Sequence, residues 1–465
     1  MKKYFNYFVI FLSLNFLFCT KVFSADCTDV NGATATISSD CSGRLGVTGD
    51  SSNITINSGV TISGQTSNDR YAIETTNGTN TIITNNGNIG PTNLKRYGIF
   101  HNTGSGTITK IDNKGTIEVN ETGSGGVGTA IFNKSTIDLI ENSGTIKSNT
   151  RNAIANGSGG VINKIDNTGT IWSVQRWTIK NITGTITTIT NSGTIKTNDE
   201  GAIRNYGGTI STINNSGTIS AKDNTIQNLE ESTITEIINS NTITSSGDKK
   251  KTIRNEGTIT SLNNSGTISA TYNSNNYGSI HNFSTGTITT ITNSGTISST
   301  ASYGIENLGT ITTITNTGEI TGGSGTGDVD IKNTSGIITT LNNSQGASSS
   351  ALTYDGKLPT NYNVIVNSTS DFGKTTFSNA SGTTNFGVHS TSTLAASTTY
   401  SSVLSGLSSS EIASGTSGSF VAGSTRNDWT LENSSSTLWD LVVAADQDIT
   451  PDTNTSVTSS VKPNV

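Results

Sequence analysis

Isoleucine recurs along most of this chain at steady intervals, and the residues between are largely Thr, Ser, Gly and Asn. The isoleucines of successive G-T-I-like segments are Ile117, Ile146, Ile171, Ile195, Ile219, Ile243, Ile268, Ile297 and Ile320, spaced 29, 25, 24, 24, 24, 25, 29 and 23 residues apart. Ile89 and Ile62 extend the series backward. Nine residues before each stands another Ile, from Ile108 to Ile311, and six before it an Ile or Leu, from Ile111 to Ile314. Four before it the residue is always Asn: Asn113, Asn142, Asn167, Asn191, Asn215, Asn239, Asn264, Asn293 and Asn316. A further copy, Ile338, Leu341 and Asn343, has Ala347 where Ile is due. A second signal, I-x-N, precedes this one in every unit, from Phe100/Asn102 and Ile131/Asn133 to Ile331/Asn333.

Units rich in Thr, Ile, Gly and Asn form helices poorly and suit short strands and turns. I-x-N has period two, which puts Ile and Asn on one face of a strand. The interval of three between Ile288 and Ile291 breaks that period and predicts a bend. Short strands, sharp corners and a unit near 24 residues predict an all-β fold, a right-handed parallel β-helix of about 12 coils. With the rise between paired strands the repeats make a rod roughly 55–60 Å long. Isoleucines then stack in interior columns, each worth roughly 1.5–3 kcal/mol when buried. Backbone ordering costs about 1–2 kcal/mol for every residue of a coil, so one coil cannot fold alone and stacking makes the copies necessary. The Asn columns read as structural ladders, tolerant of tight corners and bonded amide to amide.

Outside the repeats the chain divides further. Residues 1–24 carry Lys2 and Lys3 and then an apolar run from Phe8 to Phe18, the pattern of a signal peptide, with Ser24 and Ala25 flanking the cut. Residues 25–49 are expected to cap the first coil, residues 50–346 to form the repeats, residues 351–445 a β-rich closing segment, and residues 446–465 a linker or tail. Removing the leader leaves Cys27 and Cys41, expected to form a disulfide in an oxidising compartment. The net charge of −6 over 465 residues, with no basic cluster, argues against nucleic acid as a partner.

A signal peptide, Gly/Ser/Thr/Asn-rich coils with N-x-G-T-I punctuation, a Trp-containing closing region and a polar linker together resemble an autotransporter passenger. The resemblance covers nearly the whole chain. It implies a right-handed β-helix carried through the periplasm to the surface of a Gram-negative cell by a C-terminal outer-membrane barrel. That barrel does not occur before Val465, so either an outer-membrane translocator encoded downstream is the export partner or another system exports the chain. The function implied is a secreted, cell-surface rod with a structural or adhesive role and no enzymatic activity, whose partners are surface glycans or the surface of a host or neighbouring cell.

β-helices also resemble pectate lyases and polygalacturonases, whose acid–base groups project from neighbouring coils, so a polysaccharide lyase or glycoside hydrolase is the alternative. Asp112, Glu141 and Asp166 hold the outward position before a ladder Asn in consecutive coils and are the candidate catalytic or cation-binding column; Lys110 and Lys164 beside them read as a solvated ionic patch. Trp172, Arg176 and Trp177, in the variable stretch IWSVQRWTI, are candidate glycan contacts. Lys180, Arg204, Arg254, His281 and Lys332 form an outward basic column on the I-x-N strand. Three scattered histidines and no H-x-x-H or C-x-x-C give no metal site, and no cofactor is expected. A minor alternative is ice binding, on outward pairs running from Thr185/Thr187 to Thr310/Thr312 through six coils.

Overall fold

A computed structural model describes residues 27–64, 71–90, 96–102, 104, 106–120, 128–247, 251–271, 278–422 and 425–448. The leader, with Ser24 and Ala25, and residues 449–465 of the tail lie outside them. The chain is an all-β parallel β-helix of about 14 turns, about 25 residues apart. That is slightly more than the pattern predicts. Paired strands extend beyond residues 50–346 in both directions: Val30–Asn31 already pairs with Val47–Thr48, and Asn361–Val364 still pairs with Thr384–Val388.

One coil shows the plan. Its first face is the strand Ile203–Tyr206, its second Thr209–Asn215 and its third Thr218–Ala221. Each pairs in parallel with its counterpart in the coils before and after. Stacking is in register by residue type, Ile186 on Ile210 on Ile234 and Ile195 on Ile219 on Ile243, and every one of these side chains is fully buried. The predicted bend in the second face is present. Thr187 is exposed and drops out of the paired register between Ile186 and Thr188, which lets two isoleucines three residues apart both face inward.

The three corners differ in freedom. From Thr116 to Ile320 the second face is joined to the third by two residues in every coil, the first to the second by two to four, and the third to the next first by four to nine. The two-residue corner is tight because the backbones nearly touch: a Cβ on Gly193 or Gly217 would collide with the glycine carbonyl one coil below. Asn241 takes the same place once and turns its amide outward to the Ser216 carbonyl, 3.1 Å away.

Both predicted Asn columns are buried hydrogen-bond ladders. Asn215 donates to the Gly217 carbonyl at 3.0 Å, to Asn239 Oδ1 at 2.8 Å and to the Thr242 carbonyl at 3.1 Å. Its own Oδ1 accepts from Asn191 at 2.8 Å. The other ladder, through Asn133, Asn156, Asn181 and Asn205, repeats this at the corner between first and second faces. No ladder asparagine has a positive φ; at that second corner Thr183, Gly207 and Glu231 take the left-handed conformation instead. The asparagines therefore serve as amides that satisfy carbonyls at the corners. The first rung is shifted from expectation. Ile99 and His101, rather than Phe100 and Asn102, pair with Ile131 and Asn133, because burying Ile99 sends Phe100 outward.

The ends are closed by different means. Cys27 and Cys41 are disulfide-bonded at the first coil. The third face ends at Glu319–Thr321, where the Gln345 side chain accepts from the Ile320 N–H at 2.8 Å and donates to its carbonyl at 3.0 Å. One amide side chain thus pairs an edge that a further strand would otherwise need to cover. Beyond it the interior fills with Tyr354, Tyr362, Phe377 and Phe386. Antiparallel strands Thr425–Ser435 and Leu438–Val443 then bury Trp429 and Trp439, whose indole donates to the Leu407 carbonyl at 2.8 Å.

Candidate functional site

Side chains that point out of the coils form columns as regular as those inside, so each candidate is best read along its column. Asp112, Glu141 and Asp166 do stack in register on the second face. Lysines fill the space between them. Lys110 lies 2.5 Å from Glu141 and 3.7 Å from Asp112, Lys114 lies 3.0 Å from Asp112, and Lys164 lies 2.7 Å from Asp166. The hydrogen bond from Lys110 to Glu141 raises the lysine above its ordinary value. Three carboxylates held by three ammonium groups form a compensated patch. Among the described residues no cluster of three or more His, Cys, Asp or Glu is placed to hold a metal ion.

The tryptophans occupy different settings. Trp172 stands on the third-face strand Thr170–Ser173, in register with Lys147 below and Lys196 above. Both ammonium groups lie over its ring, at 4.8 and 4.7 Å from the centroid. Lys147 is also paired with Glu118 at 2.7 Å. Trp177 lies in the corner that follows and is buried, its ring seated on Gly201, where any Cβ would collide with it. Arg176 beside it is bound to Glu200 at 2.5 Å. Trp177 is thus a packing element of the corner, and Trp172 is the half-exposed ring of the pair.

The basic column of the first face is stacked in register as the spacing implies, with Lys180 on Arg204 and Arg254 on His281. Its upper members are each matched to a carboxylate: Arg254 to Glu256 at 2.6 Å, His281 to Glu306 at 2.6 Å, and Lys332 to Asp355. Lys180 and Arg204 are not. Burial, then the charge of Arg204, depresses Lys180 below its ordinary value, and burial likewise depresses Arg204. The Arg204 guanidinium lies 5.3 Å from the Trp177 ring and 5.6 Å from that of Tyr206, and its Nε is buried without a hydrogen-bond partner.

Two features escaped sequence reasoning. Tyr71, Phe100, Tyr97 and Phe132 stack outside the first coils with centroids 4.6 to 5.8 Å apart, each pair within 16° of parallel. The signal lies in the outward slots of Y-G-I-F-H and A-I-F-N, visible once Ile99 and Ile131 are set inward. Tyr206 is 49% exposed and extends the first-face strand by one residue past the ladder Asn205. Of the outward threonines, Thr185 pairs in register with Thr209, while Thr187 is left out of the pairing within a register that is the same on either side.

Constant interior, constant ladders and one variable edge define a parallel β-helix rod. No family model, curated protein or solved structure matches the chain.

Proposed function

We propose that this chain is a secreted, cell-surface rod of the autotransporter-passenger type that works by adhesion rather than catalysis. The observation that carries the reading is the distribution of freedom among the corners. From Thr116 to Ile320 one corner has two residues in every coil, while the connection between third and first faces varies from four to nine. A solenoid that holds its core strictly and varies along one edge behaves as a scaffold presenting loops, and in repeat proteins such an edge is commonly the binding face. The carboxylate column, the best-placed group for acid–base chemistry, is neutralised by its own lysines, which is consistent with an ionic patch rather than a general acid.

The test is to produce the full chain with its leader in a Gram-negative host, together with an outer-membrane translocator. Surface exposure is read with external protease, and capture of glycan-coated particles by whole cells is counted. Protease-sensitive chain and particle capture above that of cells lacking it are expected. A chain that stays inside the cell, or reaches the surface and captures nothing, overturns the proposal. An Asp112→Ala/Glu141→Ala/Asp166→Ala variant serves the catalytic alternative: polysaccharide cleavage by the parent that disappears in this variant would establish an enzyme.

A further inference from the structure

Parallel stacking places identical positions of neighbouring coils directly above one another, so two like charges in one column repel at the rise of a strand pair. Along the first face Arg254 and Lys332 each meet a carboxylate on the same or an adjacent coil, Glu256 and Asp355, and the His281 ring lies against Glu306. The exception is Lys180 on Arg204, which are direct register partners. Among the described residues neither has a carboxylate within ion-pairing distance. The acidic charge that acts on both, Glu200, is already held by Arg176 at 2.5 Å, and Arg151 and Arg176 add further positive charge around Lys180. Both cations are half-buried, so water relieves them only in part, and Arg204 keeps one buried donor unused. Around the same corner the Lys196 ammonium on the third face lies over the Trp172 ring, with no carboxylate within ion-pairing distance among the described residues. An arrangement that costs stability in the free protein and leaves donors unused is matched to a ligand carrying negative charge.

The neighbouring side chains narrow that ligand further. The ring of Tyr206, 49% exposed, stands beside Arg204 with its guanidinium 5.6 Å from the centroid. The buried Trp177 ring packs against Arg204 on one side and Gly201 on the other. A fixed cation pair beside an open aromatic face matches a sugar ring that carries an acidic substituent: the apolar ring face lies on the tyrosine and the substituent meets the two cations.

We propose that Lys180, Arg204 and Tyr206 form a binding site for an acidic polysaccharide, with Lys180 and Arg204 receiving one carboxylate or sulfate group and Tyr206 stacking on the sugar that bears it. The site rests on the adhesive reading above and supplies its ligand class.

The test uses the full chain and titration calorimetry at physiological salt with four probes: oligogalacturonate for the carboxylate, a heparin-derived oligosaccharide for the sulfate, neutral dextran, and polyglutamate. One of the two acidic oligosaccharides is expected to bind more tightly, which names the substituent, with dextran and polyglutamate at least about tenfold weaker. Lys180→Gln/Arg204→Gln should lose about tenfold or more in affinity, and Tyr206→Ala a comparable factor. Lys114→Gln/Lys357→Gln, which removes the same charge elsewhere, should stay within about twofold. The charge-pair variant should also melt higher than the parent without ligand, since a repulsion has been removed. Should a variant fail to fold, lysine acetylation of the wild type decides: ligand should protect Lys180 and leave Lys357 reactive. Equal losses in the two charge variants, polyglutamate binding as tightly as the sugars, or no protection of Lys180 overturns the proposal. Cells that capture particles while this site proves idle leave adhesion standing and remove the site. A chain that binds the oligosaccharide while cells capture nothing does the reverse.

Discussion

Asn215 shows how much one residue does in this molecule. Its buried amide bonds two carbonyls and the asparagine above, and its carbonyl oxygen receives the asparagine below. Replacing it with alanine leaves the Gly217 and Thr242 carbonyls and Asn239 Oδ1 each short of a donor. Asn215→Ala should therefore lower stability by about 2–4 kcal/mol, read as the urea midpoint of the surrounding coils. His101 occupies the ladder position one coil before Asn133 and is buried, with Nδ1 at 2.6 Å from the Thr75 hydroxyl and Nε2 at 3.2 Å from the Gly106 carbonyl. Burial pushes it down from 6.5 to about 4. Between those values the unfolded chain takes up the proton and the folded chain does not. Stability should then fall as pH drops from about 6.5 toward 4, by about 3 kcal/mol, and level off below. His101→Asn, which continues the ladder, should flatten this slope in denaturation curves taken across that range. The same residue marks a limit of the sequence: Phe100/Asn102 imitates I-x-N, and only the cross-coil pairing of Ile99 with Ile131 shows that the rung is one place earlier.

At the level of the coil, the fold was legible because its constraints repeat. The fixed intervals among Ile186, Ile189, Asn191 and Ile195 state the bend, the tight corner and both inward faces, and the copies average away accidents of any one unit. What occurs once was not legible. Gln345 closing the third face is a single amide in a Ser- and Asn-rich stretch, with no counterpart to give it meaning. The variable stretch IWSVQRWTI opens as strand: Thr170–Ser173 reaches two residues past Ile171 and puts the Trp172 ring between two lysines. Because each coil meets only its neighbours, whole coils should be removable. Deleting residues 193–216, which rejoins Ser192 to Gly217, keeps every column in register and should give a folded chain with β-rich circular dichroism and a maximum dimension shorter by about 5 Å in solution scattering. Deleting half that length breaks all the columns and should abolish cooperative unfolding.

For the whole molecule, the candidate site was legible as a column but not as a charge balance. Lys180, Arg204, Arg254, His281 and Lys332 can be aligned from spacing alone. That Arg254, His281 and Lys332 are matched while Lys180 and Arg204 are not depends on where Glu256, Glu306, Asp355 and Glu200 fall across coils. The picture that results is a stiff rod with a constant interior and a variable edge, bearing an uncompensated cationic point beside an open aromatic ring. On the function proposed above, the rod binds acidic polysaccharide without cleaving it. Beads coated with the full chain should be incubated on a surface of acidic polysaccharide, recording the force needed to detach them and then the length distribution of the polymer. Adhesion with the polymer length unchanged is the predicted result. Shortened polymer, or beads that detach as easily as uncoated ones, would overturn the proposed function.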